Sequence, residues 1–351
     1  MKTPTDTVAV RDHAGVNRDQ LPATVMLPRW RSVFDIDAST RMIGLDPQAA
    51  LVVGDLAPPL AELVDELRSP VAPEDFAARA AARGVPAETA YTLLHALRDA
   101  GELVDGAAAA RMTAHRAAAA VLVRGTGPLT VGVVIGLCAA GIGAVHVEAR
   151  GTVAGADLGT GLGDADHGRP RLEAIADAAA RTVPEARVSR PPRLLVPDLV
   201  VLADEYPDPV VCADLVVGGI AHLPVRLRDG VGVVGPLVLP GRTACLECLE
   251  LQRSACEPSW PRVAAQLAGR RGTADPASVP ATVGLSVAQA VAAVDGTAGS
   301  TPPPGALEAS LEIDAAAGTI VRRPWQPVPG CRCGAADLPR TDGRSRATIE
   351  G

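Results

Sequence analysis

Residues 120–148 read AVLVRGTGPLTVGVVIGLCAAGIGAVHVE, and this stretch decides the fold class. An apolar run over 120–124 meets a glycine-rich turn, Gly125-Thr126-Gly127. A second apolar segment over 130–140 follows at helical length, and residues 144–148 alternate as a strand. A strand, a tight turn, a helix and a second strand form a βαβ unit, which requires parallel pairing.

The pattern continues outward on the C-terminal side. Residues 171–180 read as a helix and 198–202 as a third buried strand, while 217–227 and 231–238 read as later strands joined at Asp229-Gly230. Alternation of this kind predicts an α/β domain with a mostly parallel sheet covered by helices. Residues 272–280 and 299–304 read as surface loops, and 335–351 as a disordered polar tail. On the N-terminal side, residues 1–20 are polar and aperiodic and read as a flexible arm. Short strands are expected over 30–36 and 41–45 around a polar turn at 37–40. Three helical patterns follow, carried by Leu60, Leu63, Val64 and Leu67, by Phe76 and Ala80, and by Tyr91, Leu94 and Leu97. Strands with three small helices over residues 21–105 suit a winged-helix-like module.

Composition narrows the function. The formal charge is −7, aromatic residues are 2% of the chain, and Lys2 is the only lysine. The positive charge is almost entirely arginine, Asp55, Glu62, Asp65, Glu66, Glu74, Asp75, Glu88 and Asp99 crowd the N-terminal module, and aromatic residues are too few for a base-stacking platform, so nucleic acid is not an expected partner. The N-terminus carries charges throughout rather than a signal sequence, and no membrane-length apolar segment is expected, so the reading is a cytoplasmic protein without a membrane partner. In a reducing compartment its seven cysteines point to metal ligation or small buried side chains rather than disulfides.

Four of the cysteines are paired in sequence, as Cys245-Leu246-Glu247-Cys248 and Cys331-Arg332-Cys333. Each pair follows a Pro-Gly step, Pro240-Gly241 and Pro329-Gly330. Four thiolates from two such knuckles satisfy a tetrahedral zinc ion completely and leave no position for water or substrate, so the expected site is structural. It would clip the chain end back onto the sheet across more than eighty residues. The alternative is four unrelated free cysteines.

Gly125, Gly127 and the acidic Glu148 at the end of the next strand stand where a phosphate cradle and a ribose ligand would stand. The third glycine is replaced by Thr130, and no lysine is near; Arg169 and Arg171 are the candidate substitutes. The competing reading is a tight strand-to-helix turn kept for packing. Cys256 is a candidate nucleophilic thiol, beside Glu257 and without a histidine nearby in sequence. Cys138, Cys212 and His146 read as structural, and His222 as a strand residue near the C-terminal edge of the sheet. Trp260 and Trp325 are expected to pack around the metal site.

Five motifs together resemble the ThiF/MoeB-like, ubiquitin-activating-enzyme-like superfamily. They are residues 124–129 (RGTGPL), 140–143 (AGIG), 234–249 (VGPLVLPGRTACLECL), 257–261 (EPSWP) followed by Gln266-Leu267, and 329–333 (PGCRC). The resemblance is closer to the divergent branch of cyclodehydratase partner proteins, which bind leader peptides in thiazole/oxazole-modified peptide biosynthesis, and it covers about residues 22–334. It implies a Rossmann-like ThiF-type domain over 106–334 and makes residues 21–105 the element that takes a precursor leader peptide. A YcaO-type protein would then carry out the ATP-dependent ring formation. The resemblance also offers a second function, an ATP-dependent adenylyltransferase acting on a peptide or carrier-protein carboxylate. There Gly125 and Gly127 would cradle phosphate, Glu148 would bind ribose and Cys256 would be the acceptor. Self-association into a homodimer is left open.

Overall fold

The structure is a computed structural model that describes residues 6–9, 21–297 and 303–337. The chain divides into two compact units, the first ending at Thr113 and the second beginning at Ala114.

The first unit contains β1 (Asp6–Ala9), β2 (Val25–Met26), β3 (Val33–Asp37), β4 (Thr40–Ile43) and β5 (Leu51–Gly54), then α1 (Pro58–Val64), α2 (Pro73–Ala82), α3 (Ala87–Asp99) and β6 (Val104–Asp105). Prolines at the first turn of α1 and α2 start those helices where a missing N–H costs nothing. Leu60, Leu63, Leu67, Phe76, Leu93, Leu94 and Leu97 all face one buried cluster. The strands form a sheet in the order β1-β5-β4-β3, with β1 parallel to β5, and β2 pairs with β6 separately. β3 is therefore an edge strand with no second strand partner among the described residues.

Two expectations change in this unit. The first hairpin strand begins at Val33 rather than residue 30, because Arg31 closes a turn onto the Pro28 carbonyl. The Asp37 carboxylate accepts from the Ser39 amide at 2.8 Å and makes the turn into β4. Within the stretch read as an arm, Asp6–Ala9 is a strand because β5 offers it an unpaired backbone edge. The remainder of 1–20 lies outside the described residues.

A helix, α4 (Gly106–Ala118), runs across the division between the units. The second unit then contains β7 (Ala120–Arg124), α5 (Pro128–Ala139), β8 (Ala144–Glu148), α6 (Arg171–Thr182), β9 (Val188–Ser189), β10 (Leu199–Asp204), α7 (Pro209–Val217), β11 (His222–Arg228) and β12 (Val231–Val234). It is completed by α8 (Leu246–Cys256), α9 (Trp260–Leu267), α10 (Ser278–Thr297), β13 (Ala309–Asp314) and β14 (Thr319–Pro324). Its eight-stranded sheet has the order β14-β13-β12-β11-β10-β7-β8-β9. The five strands from β9 to β11 pair in parallel, and β12 to β14 add antiparallel pairs. This is a mixed α/β unit with Rossmann-like topology. From β7 the chain moves outward to β8 and later returns to β10 on the other side of β7, so the strand order reverses between β7 and β10.

Alternation fixes the two faces. Val121, Val123, Val145, Val147, Val201, Leu223 and Val225 join the cluster under α5, α6 and α10. Val200 and Leu202 point the other way, to Cys212 and Leu215 of α7 and Leu246 of α8. Gly132 and Gly136 let α5 approach α10 closely, since a Cβ at either would stand 2.7 or 2.6 Å from a methyl of Val283 or Val287.

Residues 217–221, expected to open a strand, instead close α7 at Val217 and turn through Gly219 in the left-handed region before β11 begins at His222. The strand expected over 231–238 stops at Val234, where Gly235 takes φ +91. The expected loop at 272–280 runs into α10, which is long and apolar enough to cross a membrane, contrary to the sequence expectation. It packs against the sheet and α5. Thr282, Ser286 and Ala290 are fully buried there, and the Asp295 carboxylate pairs with Arg116 at 2.7 Å. Residues 298–302 and 338–351 lie outside the described residues. Ala335, at the start of the expected tail, is buried against the cysteine pairs.

Candidate functional site

Cys245 is the residue before α8 and Cys248 lies in its first turn, while Cys331 and Cys333 sit in a tight turn beyond β14. The four sulfurs lie within 4.8 Å of one another and all four residues are buried. Cys245 Sγ stands 3.8 Å from Cys248 Sγ and 3.6 Å from Cys331 Sγ, and Cys248 Sγ stands 3.6 Å from Cys333 Sγ. Sulfurs bound at about 2.3 Å around a tetrahedral ion would stand about 3.8 Å apart, so the cluster fits one ion. Soft thiolates select a thiophilic metal, and four of them fill its coordination.

The surroundings favour a thiolate at Cys248. The start of α8 carries the positive end of the helix dipole, and Cys248 Sγ accepts from the Val328 amide at 3.4 Å. The hydrogen bond from Cys245 pulls the Cys248 thiol down to about 5; that same bond, with burial, pushes Cys245 up. Burial pushes Cys331 up to about 12. Val238, Ala244 and Trp325 pack against the cluster, and the Trp325 indole donates to Ser310 at 2.7 Å.

At the strand-order reversal the glycine turn leads into α5, and the anion position there is filled by the chain itself. The Asp204 carboxylate, at the end of β10, accepts from the amides of Gly127 at 2.8 Å, Leu129 at 3.0 Å and Thr130 at 3.0 Å. It also accepts from the Thr130 hydroxyl at 2.6 Å. These are the orphan donors that a helix N-terminus presents to a phosphate. The glycines answer to the same contact: a Cβ on Gly127 would lie 2.4 Å from Asp204 Oδ1, and one on Gly125 would lie 2.5 Å from the Ala203 carbonyl oxygen.

The other candidate nucleotide ligands are also engaged. Glu148 pairs with Arg124 on the neighbouring strand at 2.6 Å. Arg171 is held by buried Asp157 at 2.7 Å, and Arg169 by Asp166 at 2.7 Å and by Asp177. Arg271 reaches Asp157 at 2.8 Å and the Thr126 hydroxyl at 2.5 Å, and that hydroxyl donates to Glu205 at 3.1 Å. This network ties the glycine turn to the segment that follows α9. Burial alone would raise the Asp157 carboxyl, but the Ala154 amide and its two arginines hold it below the usual carboxylate range. Asp204, Asp157 and Arg271 were not singled out from sequence. The available signal was an acid at the C-terminal end of a wholly buried parallel strand, Asp204 on β10.

Cys256, the candidate nucleophile, ends α8 with an exposed thiol and no hydrogen bond to a base among the described residues. His146 bonds to Ser189 Oγ at 3.1 Å, as a structural histidine would. His222 begins β11 and so lies at the N-terminal end of its strand, not the C-terminal edge; it is fully buried and held to the Ile220 carbonyl at 3.0 Å. Trp325 packs on the cysteine cluster, while Trp260 faces a cavity beside α8.

No protein-family model matches the chain, and no curated protein matches it. Among solved structures the chain is similar to Escherichia coli MccB bound to AMPCPP and MccA, with a TM-score of 0.66, 15% identity, and coverage of 89% of this chain and 99% of that one. The microcin C7 biosynthetic enzyme MccB with N-formylated MccA gives a TM-score of 0.65 at 15% identity and the same coverage. MccB with ATP gives 0.64 at 14% identity, again with 89% and 99% covered. At this identity the likeness is one of fold.

The geometry generates two expectations. Elemental analysis should find about one thiophilic divalent metal per chain, and Cys333→Ser should lower unfolding stability by about 3 kcal/mol or more, a fraction of the roughly 10–16 kcal/mol that a structural metal supplies to a small domain. Metal-free protein whose melting is unchanged by Cys333→Ser would remove the centre. Asp204→Ala should cost about 2–4 kcal/mol in chemical denaturation, because three buried amides and a hydroxyl lose their acceptor. A loss under about 0.5 kcal/mol would show that these groups find other acceptors.

Proposed function

We propose that this chain binds the leader of a ribosomally made precursor peptide and presents the peptide to a YcaO-type, ATP-dependent cyclodehydratase, without itself using ATP. The observation that carries the reading is the Asp204 carboxylate on the glycine turn. A triphosphate would have to displace it from four hydrogen bonds and bring like charge against it. Arg124, Glu148, Arg169 and Arg171 are spent in ion pairs, and no lysine but Lys2 exists to replace them. The peptide half of the reading is supported by the fold, shared with MccB, which has been solved with the peptide MccA.

In this reading the first unit is the recognition module, winged-helix-like in its combination of hairpin and three helices. β3 offers the leader an edge: Trp30, Ile36 and Leu45 around the hairpin are exposed, and an extended peptide could add as a strand with side-chain pockets supplying specificity. The cysteine centre holds zinc, which suits four thiolates and has no redox chemistry of its own. Its role is structural, and the cytoplasm keeps its ligands reduced. The second reading, an adenylyltransferase acting on a peptide or carrier-protein carboxylate, is favoured by one observation, that MccB with ATP has the same fold.

The nucleotide test is pyrophosphate exchange with calorimetry on the purified chain. No exchange and no tight ATP binding are expected, with or without peptide. Peptide-dependent exchange that Gly127→Leu abolishes would make the adenylyltransferase reading correct.

The recognition test uses single proline substitutions, Phe34→Pro and Asp35→Pro, titrated with a cognate leader. Successive N–H groups of an edge strand point to opposite sides, so one substitution removes an outward donor and the other a bond to β4. One variant is expected to keep wild-type melting and lose leader affinity at least tenfold. Unchanged affinity in both would remove β3 from recognition.

A further inference from the structure

A cavity of 520 Å³ lies between α7, α8 and α9 over the sheet face that carries Val200 and Leu202. Its walls are mainly apolar, with Val216 from α7, Leu249 from α8, and Ala264, Ala265 and Trp260 from α9. The polar side chains that line it include Tyr206, Arg226, Glu250 and Arg253, beside Glu247 and Arg332, which pair with each other at 3.2 Å.

Tyr206, Glu250 and Arg253 satisfy one another. Glu250 accepts from the Tyr206 hydroxyl at 2.7 Å and from the Trp260 indole at 2.6 Å, and Arg253 stands 3.6 Å from the same carboxylate. The Arg253 guanidinium also lies 4.9 Å from the Trp260 ring and 5.5 Å from the Trp325 ring. Burial and the neighbouring Glu250 push Tyr206 up to about 12, so its phenol stays neutral. This group carries one positive and one negative charge and needs no further ion.

Arg226 is different. It projects from β11 with 5% of its surface exposed, and among the described residues its guanidinium makes no hydrogen bond and no ion pair. The Tyr206 ring lies 5.3 Å away, and Arg253, Arg228 and Glu250 act on the guanidinium only through space. Burial lowers it to about 10, which leaves it charged at neutral pH. An unpaired guanidinium at that depth is destabilising, and a methionine or leucine would fill the same space without that cost. Stability does not account for it, whereas an anion that enters the cavity would.

We propose that this cavity is a binding site for an apolar molecule or peptide segment bearing a single carboxylate, which Arg226 receives at the cavity floor. Charge sets the number of negative groups. Glu250 cancels Arg253 and Glu247 cancels Arg332, Arg226 is left with one positive charge, and one carboxylate neutralises it. A phosphate dianion would over-compensate and would face Glu250 across the same space. The guanidinium fork matches a carboxylate through two parallel hydrogen bonds, and the apolar walls accept the remainder of the ligand. The volume falls within the range of about 300–1,000 Å³ found for small-molecule sites. The site uses no part of the first unit and no nucleotide, so it stands or falls apart from the peptide-presentation reading.

The test is calorimetric titration of the full chain with N-acetylphenylalanine and with its neutral carboxamide. The acid is expected to bind at least tenfold tighter than the amide. Arg226→Met should abolish that preference and raise the melting temperature, because it removes a buried unpaired charge. Equal affinity for acid and amide in the wild type, or a preference that persists in Arg226→Met, would overturn the proposal. A lower melting temperature in Arg226→Met would also overturn it, by showing that the guanidinium is held structurally. Inorganic phosphate displacing the acid at comparable concentration would rule out the monocarboxylate assignment. Two tripeptides, one ending in phenylalanine with a free carboxylate and one amidated with an internal aspartate, separate a chain terminus from an acidic side chain. Arg226-dependent binding of either supports the site.

Discussion

The Asp204 carboxylate on the N-terminus of α5 is the contact on which the second unit depends. It joins the end of β10 to the β7–α5 turn at the place where the strand order reverses. A helix N-terminus buried at the ends of interior strands must find acceptors for its free amides, and an internal carboxylate supplies them permanently where a ligand would supply them only when bound. Gly125 and Gly127 follow from the same contact, since any side chain would collide with Ala203 or Asp204. A glycine turn before a helix is therefore ambiguous by itself. Close approach of backbone to phosphate and close approach of backbone to carboxylate require the same missing Cβ.

The cysteine cluster acts at longer range. Residues 245–248 and 331–333 meet across a long intervening segment, so a shared ion would fix the start of α8 against the turn beyond β14. α8 then carries Glu250 and Arg253 within two turns of Cys248, with Trp325 from the cluster packed on one side of Arg253. The polar arrangement that lines the cavity is thus anchored by the helix whose first turn and preceding residue supply two of the sulfurs. Leaving α8 free would release both, because its buried residues are only Cys248 and Leu249.

Much of the architecture is legible along the chain because local rules and global fold agree there. The strand over 144–148 and the helix from residue 171 stand where periodicity places them, and the pairing of the four cysteines was readable from spacing and Pro-Gly turns. Residues 217–221 misled for a physical reason: a short apolar run reads equally as a strand or as a buried helix end, and only Gly219 in the left-handed region separates them. α10 was hidden because Thr282 and Ser286, which look like loop residues, satisfy their hydroxyls on carbonyls one turn earlier and bury them.

The sequence alone thus determined the fold class, the cysteine set and the lack of any lysine near the glycine turn, since these follow from periodicity, spacing and composition. Tertiary structure alone decided what the polar residues do. Asp204 lies more than seventy residues from the amides it caps, Asp157 is joined by Arg171 and by the far more distant Arg271, and Arg226 is unpaired among the described residues. None of this can be read along the chain, because a charge is satisfied or stranded by what the fold brings beside it, and the low dielectric of the interior makes that difference large.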